Sequence, residues 1–384
     1  MPDNDLINAF NDMRPYNDGE ISAAMDRIVK DEQFSVMAEY AYPDLTLEEV
    51  RNKVSDIRDV NQFQSTIMKA GADRCIANTI DKFTYSGLEN VEHGKAYLFV
   101  SNHRDIVLDA LLLQYILYNN NYPTTQVTFG ANLMSSQLLV DIGKSNRMFK
   151  VERGGATQRE FYEHSMQLSA YIRHVITERH ESVWIAQRNG RTKNGIDRTN
   201  PAIIRMFGMS KAKPRIDSIA ELNILPVSVS YQWEPCDILK TIELYKSLDA
   251  PYQKKPGEDL NSILTGILSP KGNFHLHFGK PLTADDLEQL EGQSVSAFNK
   301  SIAYLLDKQI CVNYRLMPTN YIAADIKNAN SKFASEYTPD EKEAFTEHMK
   351  LLEQYKDADT EILREIFLGI YANPVISKQK FSAY

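Results

Sequence analysis

The chain has few cysteines and no long hydrophobic run. It contains 3 cysteines in 384 residues, at positions 75, 236 and 311. Such a sparse, odd-numbered set fits a reducing compartment and forms neither a disulfide framework nor a zinc site. No stretch of about 18 apolar residues is present, so we expect no transmembrane helix. The first five residues are polar and acidic and do not resemble a secretory signal, which favours a cytoplasmic location.

Other absences narrow the classes of function. His275 and His277 alternate on a predicted strand, but no third metal ligand stands near them in sequence, so we interpret them as structural. We expect neither a metal nor a cofactor. The net charge is −8, and the chain has no aromatic-basic repeat, which argues against nucleic acid as a partner. The chain also has no Gly-x-Ser-x-Gly motif, which disfavours a hydrolase with a serine nucleophile.

The spacing of apolar residues divides the chain into three parts. Residues 1–90 show mostly three- and four-residue intervals, which predicts an N-terminal helical region. Residues 91–282 alternate short apolar runs with helical segments, which predicts an α/β core with strands at 98–100, 126–130, 183–187, 225–231 and 274–278. Residues 283–384 are mostly helical and predict a C-terminal helical extension.

The most informative segment is residues 101–109, Ser-Asn-His-Arg-Asp-Ile-Val-Leu-Asp. It joins a predicted buried strand to a predicted apolar helix, and such junctions often display catalytic groups. His103 can remove a proton from a hydroxyl there, provided that a carboxylate fixes its tautomer and stabilises the imidazolium. Asp105 and Asp109 are both candidates for that carboxylate. The alternative is a histidine with a purely structural role.

Residues 101–109 resemble the first sequence block of the glycerolipid acyltransferases, which acylate glycerol 3-phosphate and lysophosphatidic acid. Residues 147–155, 183–195 and 224–231 resemble three further blocks of that superfamily, in the same order. Four residues usually separate the family's His and Asp, whereas five separate His103 from Asp109 and one separates it from Asp105. We favour Asp109, because it begins an Asp-Ala-Leu-Leu-Leu stretch that matches the family's helix start.

The resemblance implies roles for residues of the second and third blocks. Arg153, Arg191 and Lys193 are expected to bind the phosphate of the acceptor, with Asn189 and Gly190 at the turn. A guanidinium contacts phosphate through two parallel N–H donors, and an ammonium adds a mobile charge. The family has Glu before this glycine. Here Asn189 replaces it, or Gln187 if the turn is aligned differently, so the positioning of the acceptor is open.

Basic residues are concentrated where these blocks lie. Residues 141–215 contain 15 Lys and Arg against 7 Asp and Glu, although the whole chain is acidic. A local positive charge attracts anionic ligands. Acyl-CoA, acyl carrier protein, phosphorylated glycerol and anionic lipid headgroups all meet this condition.

The resemblance implies a mixed central sheet flanked by helices and an O-acyltransferase of phospholipid biosynthesis. The expected donor is acyl-CoA or acyl carrier protein, and the expected acceptor is glycerol 3-phosphate or lysophosphatidic acid. Two alternatives stay open: an acyltransferase for another lysolipid, such as a lyso-amino-acid lipid, and a catalytically silent protein that binds acyl-CoA or lipid. Peripheral contact with the inner face of the membrane is also expected. Residues 201–213 combine bulky apolar residues with Arg and Lys, which fits an interfacial helix or an ordinary core helix.

Overall fold

The structure, a computed structural model, describes residues 10–152, 154, 157–211 and 215–383. Its strands are β1 (Ile80–Ser86), β2 (Leu98–Ser101), β3 (Gln126–Gly130), β4 (Met148–Val151), β5 (Val183–Ala186), β6 (Ile224–Tyr231) and β7 (Gly272–Phe278). Its α-helices are α1 (Asp18–Ile28), α2 (Phe34–Ala41), α3 (Leu47–Ser55), α4 (Val60–Phe63), α5 (Lys69–Thr79), α6 (Leu108–Asn119), α7 (Gln137–Ser145), α8 (Gln158–Thr177), α9 (Pro201–Phe207), α10 (Arg215–Ala220), α11 (Asp237–Lys246), α12 (Glu258–Leu268), α13 (Ala284–Glu288), α14 (Val295–Asn313), α15 (Pro318–Lys327), α16 (Pro339–Met349) and α17 (Thr360–Ser382). A π-helical turn, Gln64–Met68, joins α4 to α5.

The seven strands form one mixed sheet in the order β1-β7-β6-β2-β5-β3-β4. The pairing of β6 with β7 is antiparallel, and every other pairing is parallel. The five strands from β6 to β4 therefore point the same way, and β2 lies among them. The expected α/β fold, with a mixed sheet flanked by helices and helical regions at both ends, is confirmed.

Strand β2 has apolar residues at successive positions because both faces of the sheet are covered. Leu98 and Val100 pack into a core on one face with α8, α9 and α14. Phe99 packs into a second core on the opposite face with α6. Because β2 is packed between both cores, its carboxyl end is held firmly, and so are the residues that follow it.

The sequence pattern missed two strands, β1 and β4. The helical spacing expected across residues 80–86 was wrong: this segment pairs in parallel with β7 at the edge of the sheet. Edge strands are often short or polar, as both of these are, so their apolar alternation is weak. The sheet begins at Ile80, ahead of residue 91. The division into 1–90, 91–282 and 283–384 stays a prediction.

Helical cores lie at both ends of the chain. One is built from α1 to α4 and includes Leu138 of α7, and the other is built from α15 to α17. The segment 201–211 is a core helix and its turn: Ile204 and Phe207 are each 1% exposed, so an interfacial role for α9 is excluded. Residues 212–214 lie outside the described residues. Within the described part of the chain, no helix combines the length and apolarity needed to span a membrane.

Candidate functional site

His103 lies two residues beyond β2, at the edge of the sheet where the five parallel strands end. The side chain of Asn102 anchors this turn to β6: its Oδ1 accepts from the Val229 N–H at 2.7 Å, and its Nδ2 donates to the Val229 carbonyl at 2.9 Å. On the other side, the Thr192 N–H donates to the carbonyl of His103 at 2.7 Å. The backbone of His103 is therefore held between β6 and the segment that follows β5.

Asp109, in the first turn of α6, is the carboxylate that contacts His103. Its Oδ2 lies 2.9 Å from Nδ1 of the imidazole and also accepts from the N–H groups of Arg104 and Asp105. Its Oδ1 accepts from the hydroxyl of Tyr231 at 2.9 Å. An ionised carboxylate only accepts hydrogen bonds, so Nδ1 is the donor and Nε2 of the neutral ring is free to accept a proton. Nε2 has no hydrogen-bond partner among the described residues.

Asp105 has a different position. Its Oδ1 accepts from the N–H groups of Val107 and Leu108, at 2.9 and 2.8 Å, which stabilises the start of α6. Burial and the neighbouring Asp109 raise its pKa. A Cβ atom placed on Gly266 of α12 would lie 2.2 Å from Oδ2 of Asp105, so α12 packs directly against this carboxylate. Asp105 therefore supports the helix, and Asp109 contacts the imidazole.

Arg104 lies at the centre of a buried ion network. Its guanidinium donates to Asp197 at 2.6 Å and to Glu234 at 3.1 Å, and only 1% of the residue is exposed. Lys240 donates to Glu234 at 2.5 Å and to the carbonyl of Arg104 at 2.7 Å. Burial by itself lowers the pKa of Arg104, but the carboxylates of Asp197 and Glu234 raise it well above its ordinary value. Asp197 also accepts from Asn102 at 3.0 Å. The network thus fixes the residues on both sides of His103.

A pocket opens beside the imidazole. Gly190 and Arg191 of the third block line it together with His103. Gly190 has a φ of 72°, a left-handed conformation that glycine adopts without strain. Arg191 is 7% exposed, and its Nη1 has no hydrogen-bond partner among the described residues. A buried, unpaired guanidinium nitrogen is costly and favours an anionic ligand that reaches it.

Two further residues of the predicted phosphate site, Asn189 and Lys193, do not line this pocket. Asn189 is exposed, and Lys193 forms an ion pair with Glu243 of α11. Gln187, the alternative position for the family's Glu, is fully buried and accepts from the Thr199 hydroxyl at 3.2 Å. Arg153 lies outside the described residues. Of the predicted cations, the structure places Arg191 in the pocket.

Several residues of the pocket were not anticipated. Trp184 lies edge-on to His103, with ring centroids 5.8 Å apart, and forms one wall. Asp259 also lines the pocket and accepts from Lys254 and from Asn132. Asp259 begins α12 with Glu258, and acidic residues are favoured in the first turn of a helix. The two acidic residues therefore predict where α12 begins, but they do not predict that this end of the helix lies at the pocket of His103.

The paired histidines of β7 have polar partners. His275 contacts Thr84 through Nδ1 and Ser86 through Nε2, at 2.9 and 3.0 Å, and His277 contacts the same Ser86 at 2.9 Å. These contacts tie β7 to β1 and agree with a structural role. Across the described ranges, no three His, Cys, Asp or Glu side chains are grouped to hold a metal ion.

Residues 82–227 match the model of the family described as Acyltransferase. The matched region runs from β1 into β6 and contains His103, Asp109 and Arg191. This part of the chain, which is less than half of its 384 residues, is similar to the acyltransferase family. The resemblance to acyltransferases that the sequence blocks indicated is thereby confirmed for residues 82–227.

Comparisons with other proteins add a solved structure. The 1-acyl-sn-glycerophosphate (LPA) acyltransferase PlsC from Thermotoga maritima is similar over 74% of this chain and 91% of that chain, at 12% identity and a TM-score of 0.32. No curated protein matches the chain in sequence. Within the matched region, the pocket beside His103 lies at the carboxyl ends of β2, β3 and β5, where Ala186, Thr128 and Phe129 line it.

Proposed function

We propose that the chain is an O-acyltransferase of phospholipid biosynthesis. It moves a fatty acyl group from an acyl thioester, acyl-CoA or acyl carrier protein, to a hydroxyl of glycerol 3-phosphate or lysophosphatidic acid. The observation that carries the proposal is the contact of Asp109 with Nδ1 of His103, which leaves Nε2 free beside a pocket that also contains Arg191.

In the proposed reaction His103 is the general base. The acceptor hydroxyl attacks the thioester carbonyl, and its proton moves to Nε2 while the new C–O bond forms. The C–S bond then breaks, and the proton passes from the imidazolium to the leaving thiolate, so that an ester and a free thiol are released. Asp109 stabilises the imidazolium and holds the ring in the required orientation. No group on the enzyme becomes acylated.

Arg191 is the proposed anchor for the acceptor phosphate. It lines the pocket with His103. Holding the phosphate there would place the hydroxyl near the imidazole, and such positioning makes a general base effective. Arg153 and Lys193 remain candidates from the resemblance. Lys193 would first have to exchange its ion pair with Glu243 for the phosphate.

A different lysolipid acceptor, such as a lyso-amino-acid lipid, is the second candidate. The observation that favours it is the third block, where Asn189 stands in place of the family's Glu and Lys193 is already paired. An amide keeps hydrogen-bonding capacity but has no charge, so the substitution changes what the turn can bind.

The test is thiol release from palmitoyl-CoA and from palmitoyl acyl carrier protein by the purified chain. Glycerol 3-phosphate, lysophosphatidic acid and a lyso-amino-acid lipid serve as acceptors in parallel assays. We expect acceptor-dependent release, reduced by about 10²–10⁴-fold in His103→Ala because the base is lost. His93→Ala is the matched control, since His93 is exposed and does not line the pocket.

The acceptor that supports release identifies the second substrate. In Arg191→Gln, KM for a phosphorylated acceptor should rise more than kcat falls, because the guanidinium acts in binding. Thiol release that His103→Ala leaves unchanged would contradict the base. Absence of release with every donor and acceptor, despite saturable binding of palmitoyl-CoA, would instead identify a silent lipid-binding protein.

We also propose that the enzyme works in the cytoplasm and contacts the inner face of the membrane through α12. Leu260, Leu264 and Leu268 follow one another at four-residue intervals, so they share a face of the helix. They are 44%, 49% and 59% exposed. Because Asp259 of the same helix lines the pocket, a bilayer against the leucine stripe would bring lipid substrates to the site.

The membrane contact is tested by co-sedimentation with vesicles of phosphatidylcholine and phosphatidylglycerol. The triple variant Leu260→Ser, Leu264→Ser, Leu268→Ser should lose binding, because the exposed apolar area that enters the interface is removed. Val295→Ser, Leu351→Ser, Ile376→Ser is the matched control, with residues 54%, 49% and 53% exposed elsewhere on the surface. Equal binding by both variants would contradict the role of α12.

A further inference from the structure

A second cavity, of about 320 Å³, lies outside the pocket of His103. Its walls come from the segment after the third block, from α14 and from the end of α17. The cavity has no residue in common with the pocket beside His103. It is therefore a separate space.

Three cations line this cavity: Arg198, Lys300 and Lys380. All three are exposed, and none forms a salt bridge among the described residues; the charge of Arg198 acts on Asp307 only by opposing the rise in the pKa of that carboxyl. By contrast, Lys193 of the third block forms an ion pair with Glu243. Three unpaired cations around one concave surface create a positive field that attracts a multiply charged anion.

The inner wall of the cavity is polar and acidic. Asp307 accepts from the N–H of Thr199 at 2.7 Å and is 8% exposed. Asp197 also lines the wall, and its Oδ1 is buried without a hydrogen-bond partner among the described residues. An unpaired carboxylate oxygen gains from a hydroxyl or ammonium donor. Tyr304 and Phe381 complete the wall with rings 5.4 Å apart.

We propose that this cavity binds a small phosphate ester that carries hydroxyl or ammonium groups. The phosphate contacts Arg198, Lys300 and Lys380, and the donor groups of the same molecule face Asp307 and Asp197. A simple anion satisfies only the outer cations, and a simple cation only the inner carboxylates. A phosphate ester with donor groups satisfies both.

One continuous segment of the chain links the cavity to the site of His103. Ile196 to Thr199 line the cavity, and they continue the segment that carries Gly190 and Arg191. Asp197 also holds Arg104 and Asn102, on either side of His103. The cavity is thus placed to act as an effector site, and its ligand binding can be measured without reference to activity.

The test is isothermal titration at constant ionic strength with inorganic phosphate and glycerol 3-phosphate as probes. The double variant Lys300→Gln, Lys380→Gln removes two of the cations. We expect Kd for both probes to rise by about tenfold or more, since charge-assisted contacts are lost. The matched control is Lys332→Gln, Lys356→Gln, two exposed lysines that do not line the cavity.

Arg191→Gln separates this cavity from the pocket of the proposed acyltransferase. Binding that the lysine pair weakens and Arg191→Gln leaves intact supports the second site. Binding that disappears only in Arg191→Gln assigns the phosphate to the pocket of His103 and overturns the proposal. Absence of saturable binding by the unmodified chain also overturns it.

The phosphate could belong to a free metabolite or to a lipid headgroup, so vesicles form the last arm. Titration with phosphatidic acid vesicles is compared with phosphatidylcholine vesicles. If the variant Lys300→Gln, Lys380→Gln weakens binding of both free glycerol 3-phosphate and phosphatidic acid vesicles, the result supports a site that accepts the phosphate from either source. If vesicle binding alone depends on the pair, the lysines act as a surface contact, and the cavity site is overturned.

Discussion

The hydroxyl of Tyr231 donates a hydrogen bond to Oδ1 of Asp109 over 2.9 Å, at the end of β6. The other oxygen of the same carboxylate faces Nδ1 of His103. Tyr231 and His103 thus lie on either side of one buried acid, and β6 helps to fix the orientation of the imidazole. This arrangement separates groups that act on the histidine directly from groups that act through Asp109.

The two acids near His103 should differ in their effects. Asp109→Asn replaces the carboxylate that accepts from Nδ1 of His103 by an amide, which can present an N–H donor instead. The imidazole is then no longer held in the required tautomer and orientation. We expect kcat for acyl transfer to fall by about 10²–10⁴-fold. Asp105→Asn keeps the Oδ1 acceptor at the start of α6 and should reduce kcat by less than about tenfold.

Steady-state kinetics on both variants, with circular dichroism to confirm folding, distinguishes the acids. A larger loss of kcat in Asp105→Asn than in Asp109→Asn would contradict the assignment of Asp109.

Tyr231→Phe tests a residue that acts through Asp109. It removes one donor to the carboxylate and leaves the contact with His103, so we expect kcat to fall by about tenfold with KM unchanged. Burial and the Asp109 carboxylate raise the pKa of Tyr231 well above its ordinary value. The hydroxyl therefore stays protonated in alkaline solution, and the ratio of wild-type to variant kcat should stay constant from pH 7 to pH 9.5. A ratio that falls in the alkaline range would show that Tyr231 ionises.

Arg104 should contribute strongly to stability. Arg104→Met leaves Asp197 and Glu234 buried without their main partner, and breaking a buried ion pair in this way costs about 3–5 kcal/mol. The free energy of unfolding from urea titration measures this loss. Arg159→Met is the control, because the Arg159 side chain is 86% exposed and, among the described residues, its ion pair is with Glu163. Its effect should stay below about 1 kcal/mol, as for other surface pairs. Similar losses in both variants would refute the role of the network.

The buried carboxyl of Asp307 should make the stability of the folded protein depend on pH. Burial, together with the nearby Asp197, raises its pKa to about 6 despite the hydrogen bond from Thr199. The folded state thus binds this proton more tightly than the unfolded state, in which the pKa is near 3.8. Stability from this group is complete below pH 4 and decreases as pH rises from about 4 to about 6.

Asp307→Asn removes that pH dependence and keeps an acceptor for Thr199. The free energy of unfolding of the variant minus that of the wild type should therefore be about 1 kcal/mol larger at pH 7.5 than at pH 5, so the variant gains relative stability as pH rises. Urea titrations of both proteins at the two pH values measure this difference. An equal difference between the proteins at both pH values would show that the pKa of Asp307 is not raised.

Most strands of the central sheet could be predicted from the local pattern of apolar residues. Five of the seven strands were predicted from apolar runs, because strands covered on both faces are apolar at successive positions. β1 and β4 were missed, since edge strands are under less pressure to be apolar. The hypothesis of an interfacial helix at residues 201–213 failed for a related reason. Bulky apolar residues next to basic ones form the same sequence pattern in an interfacial helix and in a core helix. Here the apolar side, with Ile204, faces the core.

The sequence by itself determined the five inner strands of the sheet and the placement of His103 at a strand-to-helix junction, because both depend on residues close together in the chain. Tertiary structure decided which acid contacts His103, since Asp105 and Asp109 are both near it in sequence and only the turn into α6 separates them. It also decided that Lys193 pairs with Glu243 while Arg191 reaches the pocket. Such contacts join segments far apart in the chain, and sequence periodicity carries no information about them.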